Sequence, residues 1–209
     1  ENTAPSIGSV AISPSSPEAE DTLTCAYTDY DDADGDADAS TIAWTVNGTA
    51  AGSGSSLTGV YIGGDTGVCT VTPDDGTDTG TAVSASVTID NTAPTIDSVE
   101  IDPDPAGTDD TLTCSYSGYS DADSDSDAST YSWTIDGSEV GTSSTLSSDY
   151  EAGDEVSCTV TPSNGKKTGE AVTATVTVEN APPVMGGVSL VPNEPTSSDD
   201  LSSITTGRR

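Results

Sequence analysis

Aspartate recurs at every second position in two stretches of the chain: Asp32, Asp34, Asp36 and Asp38, then Asp121, Asp123, Asp125 and Asp127. In an extended segment, side chains at i, i+2 and i+4 share one face and successive residues rise about 3.3 Å, so neighbouring carboxylates would stand roughly 6 to 7 Å apart. In water each such pair repels by only about 0.6 kcal/mol, and burial raises that cost steeply. A hard divalent cation with 6 to 8 oxygen ligands is the natural neutraliser, and calcium fits best. Magnesium prefers fewer protein ligands and strict octahedral geometry. The eight aspartates are therefore candidate calcium ligands, joined by backbone carbonyls and by Asp65 or Asp154. The phrase matches only the start of an EF-hand loop, because the twelfth residue from Asp32 is Ala43, which has no side-chain oxygen.

Catalytic chemistry has little to draw on. The chain has no histidine, which removes the usual zinc sites and Ser-His-Asp hydrolysis. No phosphate-binding glycine loop is present, and the clustered aspartates belong to a motif repeated in two small domains. No enzymatic activity is expected. The chain carries 36 Asp and Glu against four Lys and Arg. Nucleic acid is an unsuitable partner, since its phosphates need cations to displace their counterions. An anionic membrane surface is disfavoured on the same ground unless calcium bridges the two. A salty habitat would account for acidity spread over a surface. Here, however, ten of the 36 acids fall within residues 29–38 and 118–127, about a tenth of the chain.

The elements that position these loops come from a repeat. Cys25 and Cys114, Trp44 and Trp133, Cys69 and Cys158, and Asn2, Asn91 and Asn180 all keep a spacing of 89 residues. The period predicts a small β domain over 1–90, a second over 91–179 and part of a third over 180–209. Paired cysteines at equal separation predict one disulfide per domain, Cys25–Cys69 and Cys114–Cys158, and place the protein outside the reducing cytosol, extracellular or at the cell surface. No signal peptide and no run of about 20 apolar residues is visible, so membrane insertion is not expected. Glu1 matches Glu179, as though the chain were a section of a longer array or a processed precursor.

Alternation of apolar and polar residues predicts strands throughout, with no helix-like periodicity. Ile7, Val10 and Ile12 mark the first. Leu23, Cys25 and Tyr27 face inward on the second, and Ile42, Trp44 and Val46 on the third. Asn47-Gly48 then makes a tight hairpin requiring positive φ at both positions, a better account of Asn47-Gly48-Thr49 than glycosylation. Ser56-Leu57 and the segment around Tyr61 are weaker edge material. Cys69 and Val71 return to the core, Asp75-Gly76 turns, and Val83 to Ile89 close the sheet. The second repeat copies the plan. About seven short strands per repeat predict an all-β, two-sheet sandwich.

The phrases Asn91-Thr92-Ala93-Pro94, Asp110-Thr111-Leu112-Thr113-Cys114, Asp121-Ala122-Asp123 and Trp133-Thr134-Ile135-Asp136-Gly137 resemble tandem immunoglobulin-like repeats of bacterial and archaeal cell-surface and secreted proteins, including the polycystic-kidney-disease-like type. The resemblance covers nearly the whole chain and implies spacers, adhesive stalks or filament subunits with acidic calcium-binding loops. Two departures from the antibody pattern stand out. The Cys-to-Trp spacing is lengthened by the acidic loop, and Gly67 and Val156 replace the tyrosine two residues before the second cysteine. Sugar binding would need exposed aromatic platforms, whereas Trp44 and Trp133 take core positions and the pairs Tyr27/Tyr116, Tyr30/Tyr119 and Tyr61/Tyr150 recur in register, which leaves no aromatic unique to a binding face. A glycan- or protein-binding surface module, or an accessory region of a larger secreted enzyme, is the alternative function. Residues 183–209 hold material for two strands, around Val184–Val191 and Leu201–Thr206. Too short to fold alone, this piece is expected either to add strands to a neighbouring copy, joining subunits head to tail, or to be a truncated third domain ordered by packing.

Overall fold

A computed structural model describes residues 1–147, 150–180, 185–191 and 202–207; for the last two segments only the backbone is described. The described chain is all-β, with strands and turns and no helix. In the first repeat one sheet joins β1 (Ser9–Ser13), β2 (Leu23–Thr28) and β5 (Ser56–Leu57) in the order β1-β2-β5. The other joins β3 (Thr41–Val46), β4 (Thr49–Ser53), β6 (Thr66–Thr72) and β7 (Val83–Thr88) in the order β4-β3-β6-β7. Every pairing is antiparallel.

The alternation read from the sequence is the alternation of burial. Leu23 and Cys25 are buried and Thr24 and Ala26 exposed on β2, while Gly67, Cys69 and Val71 alternate inward on β6. Trp44 is 1% exposed at the centre of a cluster with Leu23, Leu57, Cys69, Val71 and Ile89, and its indole N–H donates to the Gly54 carbonyl at 2.9 Å. Asn47 and Gly48 both take positive φ, 50° and 79°, as a two-residue hairpin matched to strand twist requires. Tyr61 differs from its expected edge role. It lies outside the strands, is 4% exposed, and its hydroxyl donates to the Asp21 and Leu57 carbonyls, because a buried phenol must find acceptors.

The second repeat repeats the plan. One sheet has β8 (Ser98–Asp102), β10 (Thr111–Ser117) and β13 (Thr145–Ser147) in the order β13-β10-β8. The other has β9 (Ala106–Gly107), β11 (Thr130–Ile135), β12 (Ser138–Gly141), β14 (Glu155–Thr161) and β15 (Val172–Glu179) in the order β12-β11-β14-β15-β9. Trp133 is fully buried and donates to the Ser143 carbonyl at 2.8 Å. Beyond it, β16 (Met185–Val191) and β17 (Ser202–Gly207) form an antiparallel two-stranded sheet, within about a residue of the two strands expected there. Residues 183–184, 192–201 and 208–209 of that tail lie outside the described residues.

The described residues group into two compact units. The first holds Glu1–Ser98, Tyr116–Thr130 and Val160–Val172, and the second Val99–Ser115, Tyr131–Thr159 and the described residues from Thr173 onward. The second acidic loop thus belongs to the same unit as the first repeat.

Disulfides Cys25–Cys69 and Cys114–Cys158 link the sheets of each sandwich, each with Cα atoms 6.3 Å apart and 44 residues between the cysteines. Closing such a loop in the unfolded chain stabilises the fold by about 4 kcal/mol in the chain-entropy account. That is a large share for a core with two tryptophans and no phenylalanine. Replacing Cys25 and Cys69 together by Ala should lower unfolding free energy by about 2–4 kcal/mol, read from the urea midpoint; an unchanged midpoint would refute this.

Candidate metal centre

Each acidic loop is pinned where it starts and where it ends. Ser6 and Asp31 exchange backbone hydrogen bonds at 2.9 Å, and Ala39 N–H donates to the Asp74 carbonyl at 2.8 Å. Thr95 with Ser120, and Ala128 with Ser163, repeat both contacts. The aspartates between these anchors are not strung along a strand. Asp32 Oδ1 accepts the N–H groups of Asp34 and Asp36 at 3.0 and 2.9 Å, and Asp121 Oδ1 accepts those of Asp123 and Asp125 at the same distances. The backbone therefore winds around the first carboxylate of each loop, as short acidic side chains allow. The positive φ this needs is supplied by Gly35 at 79° and by Ser124 at 61°.

Winding brings Asp121, Asp123 and Asp125 together, with carboxylate oxygens all within 4.8 Å of one another. Among the described residues, the acids of the first loop do not form so close a group. Asp123 is 6% exposed. Its Oδ1 accepts from Gly63 N–H and its Oδ2 from Thr92 N–H, both at 2.5 Å. Gly63 lies in the turn between β5 and β6 and is required there. A Cβ on it would stand 2.8 Å from Asn91 Cα and 3.1 Å from the Asp123 carboxylate. In the first loop Asp34 Oδ2 accepts Thr3 N–H at 2.7 Å, and Asp34 is exposed.

The fourth aspartate of each loop is engaged separately. Asp38 accepts the Tyr27 hydroxyl and Ser40 N–H, both at 2.9 Å. Asp127 accepts the Tyr116 hydroxyl at 2.7 Å, and Ser129 N–H and hydroxyl at 2.9 and 2.6 Å. Burial pushes both carboxyls up, but these hydrogen bonds outweigh it and hold them below the ordinary carboxylate value. Asp65 accepts from Asn47 Nδ2 at 2.7 Å and Ile62 N–H at 2.9 Å. Asp154 accepts Glu151 N–H at 2.7 Å. Each therefore accepts the N–H of the residue three places before it and closes a tight turn.

Residues outside the repeated aspartates complete the second site. Asn164 Nδ2 donates to Asp121 Oδ2 at 2.8 Å and to the Thr92 carbonyl at 2.9 Å. Lys166 Nζ lies 2.9 Å from both oxygens of Asp125, and that hydrogen bond holds the ammonium pKa above its usual value. Lys167 Nζ pairs with Glu18 at 2.5 Å. In the first repeat Asp75, 9% exposed, accepts from Thr77 and Asp78 N–H at 2.7 Å and from Asn2 Nδ2 at 2.9 Å. Asp75 and Asn164 each precede a glycine and read in the sequence as turn residues. Their place 89 residues apart beside the acidic loops was the available signal.

The sequence matches no protein-family model and no curated protein. Among solved structures it is similar to a two-domain fibronectin type-III segment from chicken tenascin, with 10% identity, 82% of this chain and 98% of that chain covered, and a TM-score of 0.46. It is similar also to the FN1–FN3 domains of chicken CNTN1, at 13% identity, 97% and 76% coverage and a TM-score of 0.33. A third is the Bacteroides ovatus mixed-linkage glucan utilization locus SGBP-B in complex with a mixed-linkage heptasaccharide, at 16% identity, 95% and 76% coverage and a TM-score of 0.25.

Asp38 and Asp127 are held below their unfolded-state value, so their contribution to stability is complete above about pH 4 and is lost as pH falls through the folded-state value. The melting temperature should therefore drop on acidification below about pH 4. The double variant Tyr27→Phe/Tyr116→Phe should be less stable at neutral pH and should lose less on acidification; parallel pH profiles would refute the assignment.

Proposed function

We propose that the chain is a structural, extracellular or surface-displayed repeat protein: a section of a stalk, adhesin shaft or filament, stiffened by calcium in its acidic loops. Its work is mechanical and involves no turnover. Its partners are copies of itself, with residues 183–209 adding strands to a neighbour. The inter-sheet disulfides support a location in an oxidising compartment. No helix among the described residues is long and apolar enough to cross a membrane.

One observation carries the reading. The loop whose three carboxylates lie within 4.8 Å of one another also has its buried Asp123 bonded to Gly63 and to Thr92 of the linker. A cation among Asp121, Asp123 and Asp125 would lower their mutual repulsion. It would also hold Asp123 in the orientation that accepts both N–H groups. The remaining lone pairs suit a hard oxygen-seeking ion, since each ionised carboxylate has about four acceptor positions. Calcium at this loop therefore stiffens the linker without adding any contact of its own to it.

Calcium added after chelation should raise the melting temperature. Saturation at 100 times Kd stabilises by about 2.7 kcal/mol, or roughly 5–10 °C for a chain of this size. The Gly63 and Thr92 amides should exchange their hydrogens more slowly in calcium. Identical melting and exchange with and without the ion would refute the calcium reading.

A further inference from the structure

β1 and β7 are the outermost strands of their two sheets, and they lie side by side along one flank of the first sandwich. Among the described residues no strand is hydrogen-bonded to the outer edge of either. The core is incompletely closed there. Val10 and Ile12 of β1 and Val83 and Val87 of β7 pack against it and are only partly buried. A groove lined by Pro5, Ile7 and Val83 opens where the lead-in to β1 passes the start of β7. In the second repeat Ile101 and Val176, the counterparts of Ile12 and Val87, are buried, and β9 pairs with the end of β15.

The direction of the open row on β7 follows from its pairing. Ile89 N–H donates to the Asp65 carbonyl and the Ile89 carbonyl accepts from Gly64 N–H, so both groups point toward the β6 side. Backbone groups of successive residues in an antiparallel strand alternate in direction, which turns those of Ser84, Ser86 and Thr88 outward. Asp90, next in that row, shows an outward N–H in use, donating to the Pro17 carbonyl at 2.6 Å. Natural sheets guard such edges with charge, proline or bulges. β4, the opposite edge of the same sheet, is bulged against β3. β7 has no such guard: its register with β6 is unbroken from Val83 to Thr88, and residues 79–89 hold neither proline nor charge. Residues 2–17, which include β1, are uncharged as well. On the matching flank of the second repeat β8 carries Glu100 and Asp102, and Glu100 and Asp104 line the groove beside β15.

The chain itself contains a strand of matching character. β16 lies within an uncharged run, 180–193, with Val188 and Leu190 at alternate positions. Among the described residues it pairs with β17 alone, and a lone two-stranded sheet is marginal in water. A third strand stabilises it. We propose that β16 of one copy adds to the outer edge of β7 in a second copy and closes the flank beside β1. This rests on the reading that the tail adds strands to a neighbour, and it names the acceptor. Backbone hydrogen bonds to Ser84, Ser86 and Thr88 supply the affinity. The uncharged, partly apolar flank selects a strand without carboxylates from a chain rich in them. Donor and acceptor are different surfaces, so each copy gives one strand and takes one, and the contact propagates as an open filament.

The test is sedimentation of the full chain over a concentration series, for wild type, Ser86→Pro and the double variant Val188→Asp/Leu190→Asp. Ser86→Pro removes one outward N–H and spares the ladder to β6, so its melting temperature should match that of wild type. Wild type should grow in mass with concentration, and each variant should need about tenfold more protein to do so. Mixed together, the two variants should form a complex that stops at two chains, since one keeps only the donor strand and the other only the acceptor edge. A merely weakened fold would not give that capped pair. Association of Ser86→Pro at wild-type concentrations, with the tail variant monomeric, would overturn the β7 site and leave the tail reading in place. Association of the tail variant at wild-type concentrations, or a wild type monomeric throughout the series, would overturn both. Should Ser86→Pro melt lower than wild type, Ser86→Lys serves instead, with the same loss expected and unchanged association counting against the proposal.

Discussion

Ionised carboxylates accept hydrogen bonds and donate none, and this chain supplies them in great excess over cationic side chains. The fold must therefore find donors elsewhere, and most of those around the acidic loops are backbone N–H groups. Asp32 and Asp121 each take two from their own loop, Asp34 and Asp123 each take one from the segment leading into their repeat, and Asp75 takes two from its own turn. Such bonds to a charged acceptor are among the stronger ones available. They also make the loop conformation depend on ionisation, since each one ties a stretch of main chain to a charge. The sandwich supports this arrangement by fixing the two ends of every loop through backbone pairs to neighbouring turns.

Much of the sandwich was legible in the sequence, because burial on a two-sided sheet follows the alternation of side chains. Leu23 and Cys25, Trp44, and Cys69 and Val71 all face the core where alternation puts them. The Asn47-Gly48 and Asp136-Gly137 hairpins were legible for a steric reason, as both positions in each adopt positive φ. Tyr61 was not, because a tyrosine in a loop gives no periodic signal and its burial depends on acceptors at Asp21 and Leu57. Equal cysteine spacing gave the disulfide pairs without ambiguity of register, one within each repeat.

The acidic loops were legible as places and not as shapes. Read as extended, they put carboxylates in a row at strand spacing; the backbone instead curls over Asp32 and Asp121. A single left-handed residue decides this, glycine in one copy and serine in the other, and a serine at that position carries no obvious sequence mark. The cross-chain partners were also hidden. Asn164 looks like an ordinary turn residue before glycine, and only the folded chain shows its amide bonded to Asp121. Asp38 and Asp127 share the spacing of the others, yet a tyrosine and a serine hold each of them apart from the close group.

Gly63 has a consequence for how such domains can be strung together. The position matching it one period later is Ala152, which carries the methyl that would strike a backbone Cα and a carboxylate if placed at Gly63. The linkage made through Asp123 is thus addressed to one particular predecessor. Repeats that look interchangeable on paper are keyed: shuffling them, duplicating one, or grafting a foreign neighbour would force the seam to be remade, and an absent carbon atom encodes their sequence along the string.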